Sequence, residues 1–517
     1  MLTHPPAREG LPLQATVLDP RDDVATALVD LAAGTRVLLG VGDSAREVVT
    51  LERIAAGHKF ALRPLAAGEA MRKYGEIIGC ATQTVAVGAW VHVHNLAPDT
   101  EERKVGAVVG AEVDPRSGAS VSAASVSAAS ATKRGFDGYR RRDGRVGVRN
   151  QVLVLSPTGL TSAAARRIAS LVRGTVCVAS GYGRGQIAAD AKLHFDTLAG
   201  LATHPNVAAV VVVSAGADIT STYVDAIVAS GKPAFGLSLP GVNEDALALV
   251  DAGVRVAARL VHEASALRRE RCDLADLCIA VECGHSDATS GLVCNPLAGR
   301  MMQSVVEGGG QAMFSETVEW TGAEHLLARR AVNADVARRI VDAVGERERL
   351  AREAGGDLRA QNPGPQNKAG GITTLEEKAL GAIAKGGGQP IRDVLRAAQR
   401  PSAPGLYLMD TPYFSPESMT AMVAGGAQIV VFTTGAGNSY TSLIAPTLKM
   451  SANPGTTSRL EAQIDFAASG ALQGSSSLDE LCDAGVARLL EIASGSLTYG
   501  EIVGEGDEVV SRVGPSM

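Results

Sequence analysis

Two imidazole side chains stand two residues apart, at His92 and His94, in the segment Trp-Val-His-Val-His-Asn. On a β-strand, alternate residues project from the same face, so both rings would point one way while Val91 and Val93 face the core. Two neutral imidazoles side by side suit a divalent transition metal. The pair equally fits a polar strand face, because a metal site needs further ligands. The pattern makes His92 and His94 candidate metal ligands.

A second segment, Glu-Cys-Gly-His-Ser-Asp, places five polar or reactive side chains within residues 282–287. Taken singly, Cys283 fits a buried thiol and His285 fits a histidine in a turn. A turn does not require such a density of reactive groups. We therefore predict that the catalytic residues are Glu282, Cys283, His285 and Asp287. Of these, His285 is the proposed general acid or base.

Two glycine-bearing segments lack the signatures of nucleotide binding. Residues 181–186, Gly-Tyr-Gly-Arg-Gly-Gln, have no third glycine at the offset of a dinucleotide fingerprint. Residues 433–439, Thr-Thr-Gly-Ala-Gly-Asn-Ser, carry no lysine of a phosphate-binding loop. Both segments could still cradle a small carboxylate. Asp410 and Asp465 are isolated acids, for which a helix cap or a turn is an equally good interpretation.

The reactive segments follow apolar runs, each of which leads into a polar loop and then a helical pattern. This alternation is typical of α/β proteins. Runs that are apolar throughout indicate strands covered on both faces, and hence parallel sheets. The predicted strands are residues 151–155, 207–213, 277–281, 406–409 and 428–432. Because ligands bind beyond the carboxyl ends of such strands, the active site is predicted at that edge.

Two segments outside the strands carry further predictions. The charged amphipathic stretch 324–353 predicts one or two surface helices. Residues 362–371 are rich in proline and glycine and predict an extended loop. Thr373 and Glu376 have the spacing of a capping box for a following helix. Such a loop could present backbone N–H groups to a carboxylate.

The composition indicates more than one domain, is compatible with an enzyme and argues against several other classes. A chain of 517 residues exceeds what one core serves, so two or three domains are expected. The net charge of −6, with both signs interspersed, offers no broad basic face for nucleic acid. No apolar run approaches the roughly 20 residues of a membrane helix, and residues 1–9 lack the apolar core of a secretory signal. The seven scattered cysteines form no disulfide framework. We expect a cytoplasmic protein that binds neither membrane nor nucleic acid.

Composition also divides the chain into four parts. Residues 1–105 alternate short apolar runs with glycine turns, which predicts a small β-rich domain. Residues 106–134 are rich in serine, alanine, valine and glycine and predict a flexible linker. Residues 135–395 predict a central α/β domain, and residues 396–517 a C-terminal α/β subdomain, with Rossmann-like parallel sheets.

Ordered blocks along nearly the whole chain resemble those of one enzyme family. They are residues 73–79, 92–95, 136–150, 203–206, 282–291, 315–319, 362–381, 409–412 and 432–437, and Asn453. Their order and content resemble the altronate and galactarate dehydratases, hydro-lyases that convert sugar acids to 2-keto-3-deoxy acids. The first two blocks resemble the N-terminal β-clip (SAF) domain of that family. The layout is also similar to that of sulfolactate sulfo-lyase, in which the two parts are separate subunits.

The resemblance implies a metal-assisted elimination of water from a sugar acid or related small hydroxy acid. A divalent ion, Fe²⁺ or Mn²⁺ with Mg²⁺ and Zn²⁺ as alternatives, would stabilise the enediolate formed when the α-proton leaves. His92 and His94 would hold that ion. The matched blocks place substrate-binding residues at Asn362, Lys378, Asp410, Thr434, Gly435 and Asn453. We expect a homo-oligomer.

The chain departs from the family pattern at two places. It has Ser-Gly-Tyr-Gly-Arg at residues 180–184, where the family usually carries His-x-Tyr-Gly-Cys, and Ser-Ala-Gly-Ala-Asp at residues 214–218, where it carries Gly-Leu-Gly-Cys-Glu. Cys283 remains, and His285 replaces a family glycine. We predict that Arg184 pairs with a substrate carboxylate. The departures leave two alternatives open: elimination of sulfite or an amine instead of water, and a noncatalytic binding protein.

Overall fold

The structure is a computed structural model that describes residues 13–39, 46–99, 134–514 and 516. The predicted linker at residues 106–134 lies outside the described residues, apart from Arg134. Among the described helices, none combines the length and the apolar character that crossing a bilayer requires.

The N-terminal part is built from short strands joined by tight turns. Glycines at positions 34, 57, 68 and 88 occupy these turns with φ between 77° and 84°, a region that L side chains disfavour. The strands are β1 (Ala15–Thr16), β2 (Val24–Ala27), β3 (Arg36–Leu39), β4 (Arg46–Val49), β5 (Lys59–Ala61), β6 (Ala70–Lys73), β7 (Glu76–Ala81), β8 (Trp90–Val91) and β9 (Leu96–Ala97). They form the sheets β1-β2-β5-β8 and β6-β7-β9 and the hairpin β3-β4, with antiparallel pairing throughout.

The central part contains a parallel sheet between helices. Its strands are β10 (Gly135–Arg140), β11 (Val146–Gly147), β12 (Gln151–Ser156), β13 (Thr175–Ala179), β14 (Val207–Ser214), β15 (Ala234–Ser238) and β16 (Glu270–Asp273). Its helices are α1 (Ser162–Leu171), α2 (Ala188–Ala202), α3 (Ala217–Ala229) and α4 (Ala246–Ser265). Strands β13-β12-β14-β15 form the parallel sheet, and β11-β10-β16 form a separate antiparallel one. Every residue of β14 is buried, because both faces of that sheet are covered.

The C-terminal part is organised around a seven-stranded parallel sheet in the order β19-β20-β18-β17-β21-β22-β23. The strands are β17 (Cys278–Gly284), β18 (Gln311–Phe314), β19 (Ile391–Arg396), β20 (Gly405–Asp410), β21 (Ile429–Thr434), β22 (Thr447–Ser451) and β23 (Phe466–Ala467). The helices are α5 (Asn295–Glu307), α6 (Glu324–Arg329), α7 (Ala334–Glu353), α8 (Leu358–Gln361), α9 (Pro365–Ala369), α10 (Leu375–Ile383), α11 (Ser415–Ala424), α12 (Pro454–Arg459), α13 (Gly470–Gln473), α14 (Leu478–Ala493) and α15 (Tyr499–Val503). The strands of this sheet come from both sides of residue 395. The four predicted domain bounds stay a prediction.

Shared apolar clusters join the three parts. Leu153 and Val212 of the four-stranded sheet belong to one buried cluster with Phe432 of the seven-stranded sheet. Met71 and Ile78 of the N-terminal part belong to another, together with residues of β17 and α5. The N-terminal strands therefore pack directly onto the unit that contains β17.

The predicted α/β fold with an N-terminal β-rich domain is confirmed, and so are the five predicted strands, within a few residues at their ends. The stretch 324–353 forms two helices, α6 and α7. The predicted extended loop is wrong in part, because residues 365–369 form α9. The predicted cap is displaced by one residue: Thr374 caps α10 by accepting a hydrogen bond from the Glu377 N–H.

The predicted strand through His92 and His94 is also wrong. Strand β8 ends at Val91, residues 92–95 form a turn, and Val93 is 50% exposed instead of facing the core. The Asn95 side chain closes the turn, since it accepts from the His92 N–H at 2.9 Å and donates to the Trp90 carbonyl at 2.8 Å. A local side-chain bond of this kind competes with strand pairing.

Candidate active site

Polar side chains collect at the carboxyl edge of the seven-stranded sheet. Glu282 and Cys283 lie near the end of β17, Glu316 follows β18, Asp410 ends β20 and Thr434 ends β21. Because neighbouring parallel strands end at the same edge, residues far apart in sequence meet there. Glu316 has φ 67°, a conformation rare for a residue other than glycine, and its N–H donates to Thr411 Oγ1.

A buried cluster joins one thiol, two carboxyl groups and one ammonium. Cys283 Sγ lies 3.0 Å from Glu319 Oε2 and 3.5 Å from Glu316 Oε2. Lys385 Nζ lies 3.0 Å from Cys283 Sγ, 2.8 Å from Glu316 Oε2 and 3.1 Å from Glu319 Oε2. All four side chains are buried. We call this the Lys385 cluster.

Burial and the neighbouring charges set the protonation of the Lys385 cluster. Burial raises the pKa of Cys283 well above its usual value, and burial and the nearby carboxylates do the same for Glu316. Burial also opposes ionisation of Glu319, but Lys385 and Lys378 outweigh it and lower the pKa of Glu319 to about 2. The carboxylates and the thiol raise the pKa of Lys385, although burial opposes this. One ammonium thus faces an ionised Glu319 and two neutral acids.

The same three acidic groups could hold a metal ion. Ligand atoms of Cys283, Glu316 and Glu319 lie within 4.8 Å of one another. A thiolate with two carboxylates is a donor set that binds divalent transition metals. Lys385 Nζ lies among these donors, so a bound ion would take the place of its ammonium and would require Cys283 and Glu316 to lose their protons. The donor set therefore fits a metal ion once the Lys385 ammonium is displaced and Cys283 and Glu316 are deprotonated.

Glu282 is buried beside this cluster. Its Oε2 accepts hydrogen bonds from Ser418 at 2.8 Å and Ser315 at 3.3 Å, and its carboxyl group also hydrogen bonds with that of Glu316. Burial raises the pKa of Glu282 to about 7. The group can therefore gain or lose a proton near neutral pH.

A pocket of about 10 Å³, room for one water molecule, lies next to the cluster. Its lining includes Tyr74 of the N-terminal part, Asp287, Glu319, and Glu377 and Lys378 of α10. Lys378 Nζ lies 3.4 Å from Glu319 Oε1 and donates to Asn362 Oδ1 at 2.8 Å.

Asn453 and Gly435 lie against the Asp287 side of the pocket. Asn453 Nδ2 donates to Asp287 Oδ2 at 2.8 Å. A Cβ on Gly435 would come within 2.3 Å of the Asp287 side chain, so only glycine fits. Thr434 Oγ1 accepts from the Gly437 N–H in the same loop. The structure thus brings together Asp287, Asn362, Lys378, Gly435 and Asn453, all of which were predicted as site residues.

A second buried charge cluster ties the N-terminal part to α10. Lys59 Nζ lies 2.9 Å from Glu377 Oε2, and Lys73 Nζ lies 2.8 Å from Glu377 Oε1. Lys59 also donates to Gly371 O and Thr373 Oγ1, both at 2.7 Å. Burial opposes ionisation of Glu377, but the two lysines lower its pKa to about 2, whereas burial lowers the pKa of Lys59 to about 8. We call this the Glu377 cluster.

Each of the three parts of the chain matches a known protein family. The N-terminal residues 13–99 match the SAF domain of altronate/galactarate dehydratase. Residues 138–265 match the second domain of D-galactarate dehydratase/altronate hydrolase, and residues 274–516 match the C-terminal part of D-galactarate/altronate dehydratase. The chain belongs to the altronate/galactarate dehydratase family. Its relatives include dehydratases and a sulfo-lyase, so the family is one of lyases.

Individual relatives span most of the chain. Subunit beta of (2R)-sulfolactate sulfo-lyase from Chromohalobacter salexigens is 40% identical over 383 residues, which are 74% of this chain and 98% of that subunit. Altronate dehydratase of Escherichia coli is 30% identical over 503 residues, covering 93% of this chain and 95% of the relative. Galactarate dehydratase (L-threo-forming) of Escherichia coli is 28% identical over 506 residues, covering 92% and 91%.

Several residues predicted for this member of the family lie outside the two clusters. His92 Nε2 hydrogen bonds the Lys368 carbonyl at 2.9 Å, and the His94 ring packs against Trp90. Arg184 is exposed and lies 3.8 Å from Asp218, so two departures from the family pattern contact each other.

Asp410 and His285 have partners of their own. Asp410 accepts from Thr317 at 2.6 Å and pairs with Arg347 at 2.9 Å. His285 is exposed, has φ 53°, and its Nδ1 lies 2.8 Å from the Gly437 carbonyl oxygen. The site roles predicted for His92, His94, Arg184, Asp410 and His285 stay predictions.

Sequence reasoning missed the residues that dominate the charge of the site, namely Lys59, Lys73, Glu316, Glu319, Glu377 and Lys385. Two of them carried a readable signal, because Glu316 and Glu319 stand three residues apart directly after an apolar strand. The lysines carried none, since lysine is rarely buried and their partners lie up to 318 residues away along the chain.

Proposed function

We propose that this chain is a lyase that removes water from a sugar acid or related carboxylate with hydroxyl groups at C2 and C3. The proton leaves C2, the hydroxyl leaves C3, and the resulting enol becomes a 2-keto acid. The observation that carries the proposal is the position of Glu319, which belongs both to the group that could hold a metal ion and to the lining of the pocket. A substrate bound here, once the pocket widens to admit it, would therefore border a cation and several proton-carrying groups. This combination suits an elimination in which negative charge develops next to a carboxylate.

Lys378 binds the substrate carboxylate in this proposal. Its ammonium lines the pocket, and Asn362 and Glu319 hold it in place. Asp287, oriented by Asn453 and Thr289, accepts hydrogen bonds from the hydroxyl groups of the substrate. Together they fix the direction in which the substrate lies.

The proton transfers fall to groups at the end of β17. His285 is the proposed general acid or base, with its ring oriented by the Gly437 carbonyl. Glu282, whose pKa is raised to about 7 by burial, can hold or release a proton near neutral pH.

Cys283, Glu316 and Glu319 hold a divalent cation, Fe²⁺ or Mn²⁺, in this proposal. When bound, the ion supplies positive charge that stabilises the enediolate. His92 and His94 are the alternative ligand pair that the sequence proposes. Metal content of purified variants distinguishes the two assignments.

A second candidate is elimination of sulfite from a sulfonated hydroxy acid. The identity of 40%, extending over 98% of the sulfolactate sulfo-lyase subunit, favours it, compared with 30% for altronate dehydratase. Both candidates share removal of a proton next to a carboxylate and differ in the leaving group.

The test is incubation of the purified chain with altronate, galactarate, sulfolactate and a 3-amino-2-hydroxy acid, with and without a chelator, and with added Fe²⁺ or Mn²⁺. Formation of 2-keto acid without sulfite or ammonia supports the dehydratase. Release of sulfite or ammonia supports a lyase with a different leaving group. No product from any substrate indicates a noncatalytic binding protein, and turnover that survives the chelator contradicts the metal proposal.

Two further proposals concern the setting of the enzyme. We propose that it works as a homo-oligomer and that it acts in the cytoplasm. Light scattering of the purified chain and fractionation of cells that produce it test them.

A further inference from the structure

The hairpin between β6 and β7 carries a tyrosine at its tip. Lys73 pairs with Glu76, so Tyr74 and Gly75 alone form the turn, and both have positive φ, 61° and 75°. A two-residue turn of this kind favours asparagine, aspartate or glycine at its first position, because a bulky side chain is strained there. Asp22 holds the turn by accepting from the Gly75 N–H at 2.7 Å. The backbone thus disfavours tyrosine at position 74, which points to a role for its side chain.

The Tyr74 side chain enters the C-terminal part and lines the candidate active-site pocket. Its hydroxyl lies against two glycines, since a Cβ would come to 2.5 Å from Tyr74 Oη on Gly291 and to 3.6 Å on Gly381. Gly291 belongs to a π-helical turn, Ser290–Cys294, which follows the predicted catalytic segment 282–287. Turns of this type occur frequently at functional sites. The absence of a side chain at Gly291 leaves the room that the phenol occupies.

The acidic side chains of the pocket lining are held as proton acceptors. Burial opposes ionisation of Glu319 and Glu377, but neighbouring lysines lower both pKa values to about 2. Both carboxyl oxygens of Asp287 accept hydrogen bonds, Oδ1 from Thr289 and Oδ2 from Asn453. Glu319 and Glu377 therefore carry no proton near neutral pH, and Asp287 is arranged as an acceptor.

The phenol of Tyr74, in contrast, keeps its proton. Burial raises the pKa of Tyr74 above its ordinary value of 10, although Lys73, which hydrogen bonds with the phenol, opposes this. Lys73 Nζ lies 4.9 Å from the centre of the Tyr74 ring and 2.8 Å from Glu377 Oε1. A phenolate on Tyr74 would therefore lie beside an ammonium, in the cluster where two lysines face one carboxylate. Its surroundings would stabilise the charge that remains when the phenol gives up its proton.

We propose that Tyr74 is a catalytic residue of the elimination, whose phenol donates the proton that turns the departing C3 hydroxyl into water; this inference rests on the proposed dehydratase. The base takes the C2 proton, and the electron pair of the C2–H bond forms the double bond between C2 and C3. The C3–O bond breaks with its electron pair on oxygen, and the phenol proton completes the water molecule. The phenolate then recovers a proton from solvent, which balances the proton that the base releases.

The test compares a leaving group that needs a proton with one that does not. The substrates are the hydroxy acid that the full chain dehydrates and the same acid with fluorine in place of the C3 hydroxyl. Tyr74→Phe keeps the ring and removes the hydroxyl. Tyr499→Phe is the matched control, because Tyr499 is 38% exposed on α15 and lies outside the pocket lining. Release of 2-keto acid and fluoride is measured, and thermal unfolding establishes that each variant is folded.

We expect Tyr74→Phe to lower dehydration by about 10²- to 10⁴-fold and fluoride release by less than about threefold, because fluoride departs without a proton. Tyr499→Phe should match the unmodified chain on both substrates. The inference is overturned if Tyr74→Phe keeps more than about a tenth of normal dehydration, or if both reactions fall equally, as they would if the phenol only served packing or binding. Should Tyr74→Phe be unfolded, Tyr74→Asn gives the same readout, since asparagine tolerates positive φ.

Deuterium uptake from heavy water at C2 of the unreacted hydroxy acid provides a second readout on the natural substrate. It should persist in Tyr74→Phe, because removal of the C2 proton does not use the phenol, and its loss together with dehydration counts against the inference. Failure of the proposed function gives a different result. If the unmodified chain releases only sulfite or ammonia, or no product, the dehydratase is wrong and this inference falls with it. Normal dehydration by both the unmodified chain and Tyr74→Phe removes the role of Tyr74 alone.

Discussion

The two buried charge clusters flank one pocket and differ in which kind of group is in the majority, acidic in the Lys385 cluster and basic in the Glu377 cluster. In the Lys385 cluster, one ammonium faces a thiol and two carboxyl groups. In the Glu377 cluster, one carboxylate faces the ammonium groups of Lys59 and Lys73. Glu319 of the first cluster and Glu377 of the second both line the pocket. The pocket thus lies between an acidic and a basic cluster.

The difference between the clusters determines how an anionic ligand would be oriented in the pocket. The acidic cluster stays partly protonated, because burial raises the pKa of Cys283 and Glu316. It is therefore suited to holding protons or a cation. The basic cluster keeps Glu377 ionised and retains one positive charge in excess, which attracts a carboxylate. The basic cluster also depends on docking of strands β5 and β6, whereas the acidic cluster lies wholly within the C-terminal part.

The largest expected effect is on activity, from Glu319→Gln. This change removes the one ionised acid that the cluster and the pocket share, so we expect turnover to fall by about 10²- to 10⁴-fold. Steady-state kinetics on whichever substrate is turned over measures this. Glu353→Gln, at an exposed position of α7, is the control and should keep full activity. A Glu319→Gln enzyme with more than about a tenth of normal turnover would refute the shared role.

The next effect is on stability, from Glu377→Gln. The change leaves Lys59 and Lys73 buried beside a neutral amide, and breaking a buried ion pair from one side costs about 3–5 kcal/mol. Denaturant unfolding measures the loss against the same Glu353→Gln control. Equal stability of the two variants would mean that the Glu377 cluster does not hold the N-terminal part on α10.

Stability at acidic pH tests the Glu377 cluster by itself. The folded pKa of Glu377, about 2, lies below its ordinary value of 4.5, so its ionisation stabilises the fold above about pH 4.5. That contribution is lost as the pH falls from 4.5 to 2. We therefore expect the difference in unfolding free energy between the unmodified chain and Glu377→Gln to narrow across this window. A difference that stays constant with pH would contradict the lowered pKa.

The parallel sheets could be predicted from the sequence because burial on both faces leaves a continuous apolar run, as in β14 and β21. The carboxyl edge followed from the same reasoning, and Asp287, which follows β17, lines the pocket there. Lys378 of α10, which was proposed from the family resemblance, lines the same pocket. The strand through His92 failed because alternation over four residues does not distinguish a strand from a turn closed by the Asn95 side chain.

The charge clusters could not be predicted, since their pairing is a property of the tertiary fold. Lys73 and Glu377 are 304 residues apart, and nothing near either residue signals the other. The acidic pair could have been predicted, because Glu316 and Glu319 follow β18 just as the predicted catalytic residues follow β17. The same reasoning, applied to the end of β18, would have identified both residues.

The smallest expected effect is that of the histidine variants, which test whether His92 and His94 or the acidic cluster holds the metal ion. Truncating His92 to alanine removes its hydrogen bond to the Lys368 carbonyl and should cost only about 1 kcal/mol of stability. If the ion belongs to the acidic cluster, Cys283→Ser should lower the bound iron or manganese, whereas His92→Ala and His94→Ala should not. Elemental analysis of the purified variants measures this. Loss of metal from the histidine variants alone would move the cation to the N-terminal part, and the acidic cluster would then be a proton reservoir held by Lys385.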